Sequence, residues 1–194
     1  METKKLVRFG LLLVLFTLCL QSNVFAQSAS ITLSEKSAKL GYGFLVGGSN
    51  YGRTELKMDL LYNTDKTYMV DAGIQVFDEV GSKAKGLVAG LGGKIYGASV
   101  EDNKYEILVI GVGGMLRYSI PQNRRIILGV DGYYAPPIVS FIDAERFYET
   151  AARVEYELLP KASAYIEYRK YFLDVDNDSG SIDSGFRVGM EINF

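Results

Sequence analysis

The chain of 194 residues sets 21 Lys and Arg against 23 Asp and Glu, for a net charge of −2 at pH 7, and it contains no histidine. Without histidine there are no Ser-His or Cys-His nucleophile pairs and no zinc site of the usual kind, and the mild acidity disfavours a nucleic-acid partner, which needs a basic face. Hydrophobic residues reach 48%, yet beyond the N-terminal segment no apolar run is long enough for a transmembrane helix, so a membrane location would require strands.

Residues 1–26 begin with Lys4, Lys5 and Arg8, continue in the apolar run "FGLLLVLFTLCL" and close on "VFA" before Gln27. A basic start, an apolar core too short to span a bilayer, and Val24 and Ala26 at the peptidase positions predict a cleaved secretory signal. Cys19, the single cysteine, lies inside it and follows Leu18, where a lipoprotein cleavage site needs a small residue. Neither a lipid anchor nor a disulfide is therefore expected. The mature part, 27–194, has the length of one domain and holds 18 basic and 22 acidic residues, a net of −4.

From Gln27 onward the hydrophobic period is two rather than 3.6. Strands are predicted at 28–34, 40–50, 54–63, 67–77, 86–99, 104–120, 124–135, 147–159, 162–173 and 184–194, ten in all, or eight if the segment 28–50 supplies fewer. In the third, Leu56, Met58, Leu60 and Tyr62 oppose Glu55, Lys57 and Asp59; in the eighth, Ala152, Val154, Tyr156 and Leu158 oppose Arg153, Glu155 and Glu157. Ala164, Ile166 and Tyr168 oppose Glu167 and Arg169, and Phe186, Val188, Met190, Ile192 and Phe194 oppose Arg187 and Glu191. Asp71 with Gln75, Lys94, Arg117 and Asp131 keep the same parity. Such alternation requires one apolar and one polar environment along the whole sheet.

Period alone does not say which face is inside, since a soluble barrel with an apolar pocket alternates too. Three features favour apolar residues outside. Tyr62, Tyr68, Tyr118 and Tyr134 close the apolar face near strand ends, as interfacial girdles do. The connections "LPK" and "IPQNR" are short while "PPIVSFIDAER" and "DVDNDSGSID" are long, the two-rim asymmetry of outer-membrane barrels. The last strand is patterned to Phe194, which suits a closed sheet without an edge. The expected fold is all-β: a transmembrane antiparallel up-and-down β-barrel following the signal.

The segments "GVDGYYAPPIVSF" at 129–141 and "FYETAARVEYELLPKASAYIEYRKY" at 147–171, with the closing "INF", resemble the YfaZ family of bacterial outer-membrane proteins. Tyr133, Tyr134, Ala135 and Pro136 match its Tyr-Tyr-Ala-Pro segment, and Tyr148, Glu149, Pro160, Tyr168 and Arg169 fall where that family has similar residues. The likeness is good over the C-terminal third and loose in the Gly-rich middle. It implies a small barrel in the outer membrane and brings no assigned activity; with the signal at 1–26, the expected location is the outer membrane of a Gram-negative-type bacterium, reached by Sec-dependent export.

The candidate site is the set of inward charges: Glu55, Lys57, Asp59, Asp71, Lys94, Arg117, Asp131, Arg153, Glu155, Glu167, Arg169, Arg187 and Glu191. They read either as a salt-bridged filling that replaces an apolar core or as the lining of a narrow porin-like channel, the filling being favoured because barrels near eight strands are packed inside. Outward loops at 136–146, with Pro136, Pro137 and Phe141, and at 174–183, with Asp174, Asp176 and Asp178, are expected to meet lipopolysaccharide, surfaces or a partner. The latter imitates the start of a calcium loop, but Ser179 stands where the sharp turn needs Gly and no Glu closes the far end, so no metal is expected. The glycines at 90, 92, 93, 111, 113 and 114 lack nucleotide-binding spacing. Glu155 and Glu157 lie two apart on one strand and are expected to share salt bridges with Arg153 and Arg169. No cofactor and no catalytic group is expected. Phe194 reads as the signal for the barrel-insertion machinery, and outer-membrane lipids are the other expected partners.

Overall fold

The computed structural model describes residues 25–49, 52–64, 66–81, 85–100, 105–142, 144–175 and 178–194. Its strands are β1 (Phe25–Leu33), β2 (Ser37–Ser49), β3 (Gly52–Asn63), β4 (Thr67–Glu79), β5 (Leu87–Val100), β6 (Tyr105–Ser119), β7 (Ile126–Ala135), β8 (Ser140–Ile142), β9 (Ala144–Leu159), β10 (Ala162–Val175) and β11 (Asp178–Asn193). Ten of them pair antiparallel with their neighbours in chain order, β7 joining β9, and β1 pairs with β11 to close the barrel. The eleventh, β8, is three residues long and follows a 3₁₀ turn at Pro137–Val139; it extends the wall beside β6 through Ile107, Leu108 and Val109.

Closure imposes tilt, because strands around a barrel must be staggered. Registered partners lead from Leu33 near the end of β1 through Val188, Ile166, Val154, Leu128 and Tyr118 to Leu87, the first residue of β5. A path perpendicular to the strands thus crosses from one rim to the other. We call the rim holding the start of β1 and the end of β11 the near rim. It also holds the links from β4 to β5, β6 to β7 and β9 to β10.

The wall is apolar outward at all heights. Met58, Leu60, Val70, Ile74, Val76, Leu91, Ile95, Val112, Leu116, Val130, Val154, Ile166, Phe186, Val188, Met190 and Ile192 are all exposed, and Tyr62, Tyr68, Tyr118, Tyr134 and Tyr168 stand among them. Asp59, Asp71, Glu149, Arg153, Glu167, Arg169 and Arg187 are buried inside. An exterior of this kind is at home in hydrocarbon, and the β1–β11 pairing from Ser28 to Leu33 closes the backbone hydrogen bonding around the barrel. The chain is a transmembrane β-barrel.

One expected loop is not a loop. The strands β10 and β11 continue to Val175 and back from Asp178, with Asp174 registered against Ser179 and a bulge where Phe172 meets Ser181. Asp174 and Asp178 therefore lie in a hairpin rather than in an acidic loop, because alternating backbone pairing needs no apolar side chain to propagate. Asp176 lies outside the described residues, as do residues 1–24 of the expected signal and Lys104, where the sixth strand was expected to begin. Likewise Glu145 and Arg146, expected in the 136–146 loop, open β9. Above Val188, β11 outruns β1, whose last partner is Leu33, so its upper part has a strand on one side only. The bulge, Gly185 and the inward Asp183 and Arg187 there are features that discourage edge-to-edge pairing.

Candidate functional site

The lumen is built by parity. On β9 and β10 the inward positions are Glu149, Arg153 and Glu155, and Tyr165, Glu167, Arg169 and Tyr171. On β3, β4 and β5 they are Glu55, Lys57 and Asp59, then Asp71 and Gln75, then Lys94 and Tyr96. Cross-strand register sets the neighbours: Glu167 lies between Arg153 and Arg187, and Asp59 beside Asp71.

A tight layer crosses the middle of the barrel. Arg169 donates from Nε and Nη2 to the two carboxylate oxygens of Glu167 at 2.8 and 2.9 Å, and from Nη1 to Glu149. Arg153 donates to the same Glu167 through Nε and Nη2 at 3.3 and 3.1 Å. Glu149 also accepts from Lys94 Nζ at 3.0 Å and from the Tyr96 hydroxyl at 2.5 Å. Lys94 stands 3.6 Å from Asp71, and Lys39 3.5 Å from Asp59. Each buried carboxylate here faces at least one cation, which is the condition for keeping a charge out of water. The fork of a guanidinium on a carboxylate also fixes orientation.

Aromatic rings brace this layer. Lys94 lies 4.6 Å from the centre of Tyr133, and the Arg153 guanidinium 3.9 Å from that of Tyr165, both within cation–π range. The Tyr165 hydroxyl is 2.5 Å from Thr32 Oγ1 across the β1–β11 seam. Gly189 leaves room for that ring: a side chain there would occupy the Tyr165 phenol.

The two halves on either side of the layer differ. Toward the near rim lies a cavity of about 300 Å³ lined by Arg53, Glu55, Lys57, Arg117, Glu155 and Glu191 among others. Its pairs are longer: Lys57 to Glu191 3.9 Å, Arg153 to Glu191 3.6 Å, and Arg153 to Glu155 3.9 Å. Of the six lining residues just named, Arg117 is firmly held, its Nη2 donating to Asp131 at 3.1 Å above Gly129, where a side chain would strike the guanidinium. Toward the far rim the interior is apolar, with Leu61, Met69, Val109, Phe147, Leu173 and Val175 in one buried cluster with Tyr96 and Tyr171. Phe147 packs 4.6 Å from Tyr96 and 6.3 Å from Tyr171, centre to centre. Arg187 sits beneath this cluster, 5.6 Å from the Tyr171 ring and 2.9 Å from Asp183, a contact of charge without an aligned hydrogen bond.

All of the inward charges expected from sequence therefore lie on the inner side of the wall, divided between the tight layer and the near cavity except for Arg187, which lies beneath the far cluster beside Asp183. Sequence reasoning missed Lys39, Glu149 and Asp183. Glu149 shares the odd parity of Arg153 and was legible on that ground, whereas Lys39 and Asp183 fell outside the predicted strands. On the far rim Phe141, Ile142 and Ile138 are exposed around Pro136 and Pro137, and Arg146 approaches Asp174 at 4.0 Å. Among the described residues no group of three His, Cys, Asp or Glu side chains is placed to hold a metal ion.

Among solved structures the chain is similar to the KdgM porin, with 10% identity and a TM-score of 0.48 over 88% of this chain and 99% of that one. The KdgM porin in complex with disordered oligogalacturonate gives 9% and 0.47 over the same shares, and Neisserial surface protein A gives 10% and 0.36 over 87% and 94%. At such identity and overlap these likenesses decide nothing about activity. No curated protein matches the chain. The sequence itself matches the family described as YfaZ precursor over residues 5–194, and the chain belongs to the YfaZ family.

Proposed function

We propose that this protein is a non-enzymatic barrel of the outer membrane whose lumen is closed to solute flow and whose far-rim hairpins serve a structural or interaction role in the envelope. The observation that carries the reading is the buried apolar cluster of Leu61, Met69, Val109 and Phe147, each no more than 3% exposed, stacked on a hydrogen-bonded ionic layer. Ions crossing there would shed much of their hydration against hydrocarbon side chains. In the usual orientation the near rim faces the periplasm and the far rim, with β8 and the β10–β11 hairpin, faces outward, where Phe141 and Asp174 meet lipopolysaccharide or a partner. Residues 1–26 serve as the Sec signal, a role in keeping with the family's description as a precursor, and its removal takes Phe25 and Ala26 from β1 and leaves the mature strand to start at Gln27.

Purified protein in a planar bilayer tests the closure. A silent membrane is the expected result, and steady ion flow would establish instead a narrow channel through the near cavity, the second reading. Biogenesis has its own test. Backbone hydrogen bonds of 2.9 and 2.8 Å join Gln27 and Phe194 at the seam, and deletion of Phe194 is expected to lower the amount inserted by the barrel-assembly machinery. Unchanged outer-membrane levels of that deletion would remove Phe194 from the insertion role.

A further inference from the structure

The charges facing the near cavity are unequal in a way that the closed-lumen reading does not use. The floor is the more firmly bonded part: Glu149 and Glu167 together accept from Arg153, Arg169, Lys94 and Tyr96, while Asp59 and Asp71 are held by Lys39 and Lys94 at 3.5 and 3.6 Å. The wall above it is looser. Among the described residues neither Arg53 nor Glu55 has a hydrogen bond or ion pair, Arg53 meeting only the ring of Phe77 at 5.1 Å. Lys57 and Glu155 have only contacts of 3.9 Å to Glu191 and Arg153, beyond the reach of a charge-assisted hydrogen bond at about 2.8 Å.

Arg53, Glu55 and Lys57 are alternate residues of β3 on one face, spaced roughly 6.6 Å apart along the strand. A cation, an anion and a second cation are thus displayed in a row at the mouth of a cavity of about 300 Å³. That volume lies at the small end of ligand sites. A solute of one sign would satisfy one of these groups and repel its neighbour. A molecule with both charges close together satisfies two at once, its carboxylate toward Arg53 or Lys57 and its ammonium toward Glu55.

The geometry points to a binding site, entered from the near rim, for a small zwitterion of the α-amino-acid type. It deepens the closed-lumen reading by giving the near cavity a ligand, and it rests on that reading only for the side of entry. Binding itself is measured in detergent, where both rims are accessible, so a conducting barrel would overturn the closure and leave this site standing.

The experiment is saturation-transfer NMR on the mature barrel in micelles with glycine, acetate and methylammonium as separate probes. Glycine is expected to bind at least about tenfold more tightly than either singly charged probe. Glu55→Gln and Arg53→Gln should each weaken glycine about tenfold while heat-modifiable migration on gels, the sign of an intact barrel, is retained. No glycine signal, acetate binding as tightly as glycine, or glycine binding indifferent to both substitutions in folded protein would each overturn the assignment.

Discussion

The near and far halves of the lumen are lined by the same strands at the same parity, yet one is charged and the other, Arg187 and Asp183 apart, is mostly apolar. Along β3 the inward residues run Glu55, Lys57, Asp59 and then Leu61; along β10 they run from Glu167 and Arg169 to Tyr171 and Leu173. The outer face shows no such change, with Met58, Leu60, Ile166 and Tyr168 exposed throughout. Lipid imposes one chemistry on the outer face at every height of the bilayer. The interior answers only to its own packing, so it can change from ion pairs to hydrocarbon within one strand.

Substitutions in the two halves and the layer between them would break or sharpen this contrast. The largest effect is expected at the layer: Glu167→Ala leaves Arg153 and Arg169 without their shared acceptor and should cost about 3–5 kcal/mol, read as a lower urea midpoint for unfolding from micelles. A midpoint unchanged by this substitution would mean that water already carries those charges. In the far half, Phe147→Ala removes a ring packed between Tyr96 and Tyr171. A loss of about 3 kcal/mol is expected, together with the first measurable ion flow if the ionic layer is loosened as well by Glu149→Ala; a silent double variant would place the barrier elsewhere. The seam comes next, where Gly189→Val forces a branched side chain into the Tyr165 ring and should cost about 1–3 kcal/mol. The near cavity is expected to be the most tolerant: Arg53→Gln, exposed and without an ion pair, should change stability by less than about 0.5 kcal/mol. A large loss there would show that the wall is a structural network after all.

Much of the architecture was legible because alternation is local. The ten predicted strands correspond to the ten that close the barrel, and the outward tyrosines and the inward charges follow their parity. Membership of the YfaZ family, read from Tyr133 to Pro136 and from the segment 147–171, holds over residues 5–194. The hairpin at 174–183 was misread because Asp, Ser and Gly there carry turn propensity, while the backbone ladder with β10 overrides it. The apolar far half was also missed. Its signal is the loss of alternation in "LLY" at 60–62, "YMV" at 68–70 and "ILVI" at 107–110, where both faces of a strand are apolar and therefore both are buried in something non-aqueous.

By itself, the order of residues determined that this chain forms strands with one greasy and one ionic face, since side-chain direction follows from backbone pleat alone. Only the closed tertiary structure decided which ions meet. Glu167 finds Arg153 because β9 and β10 lie in a given register, and Glu149 finds Lys94 because β5 stands across the lumen from β9. Contacts across a barrel depend on stagger and closure, which belong to the whole sheet and are written in no single strand.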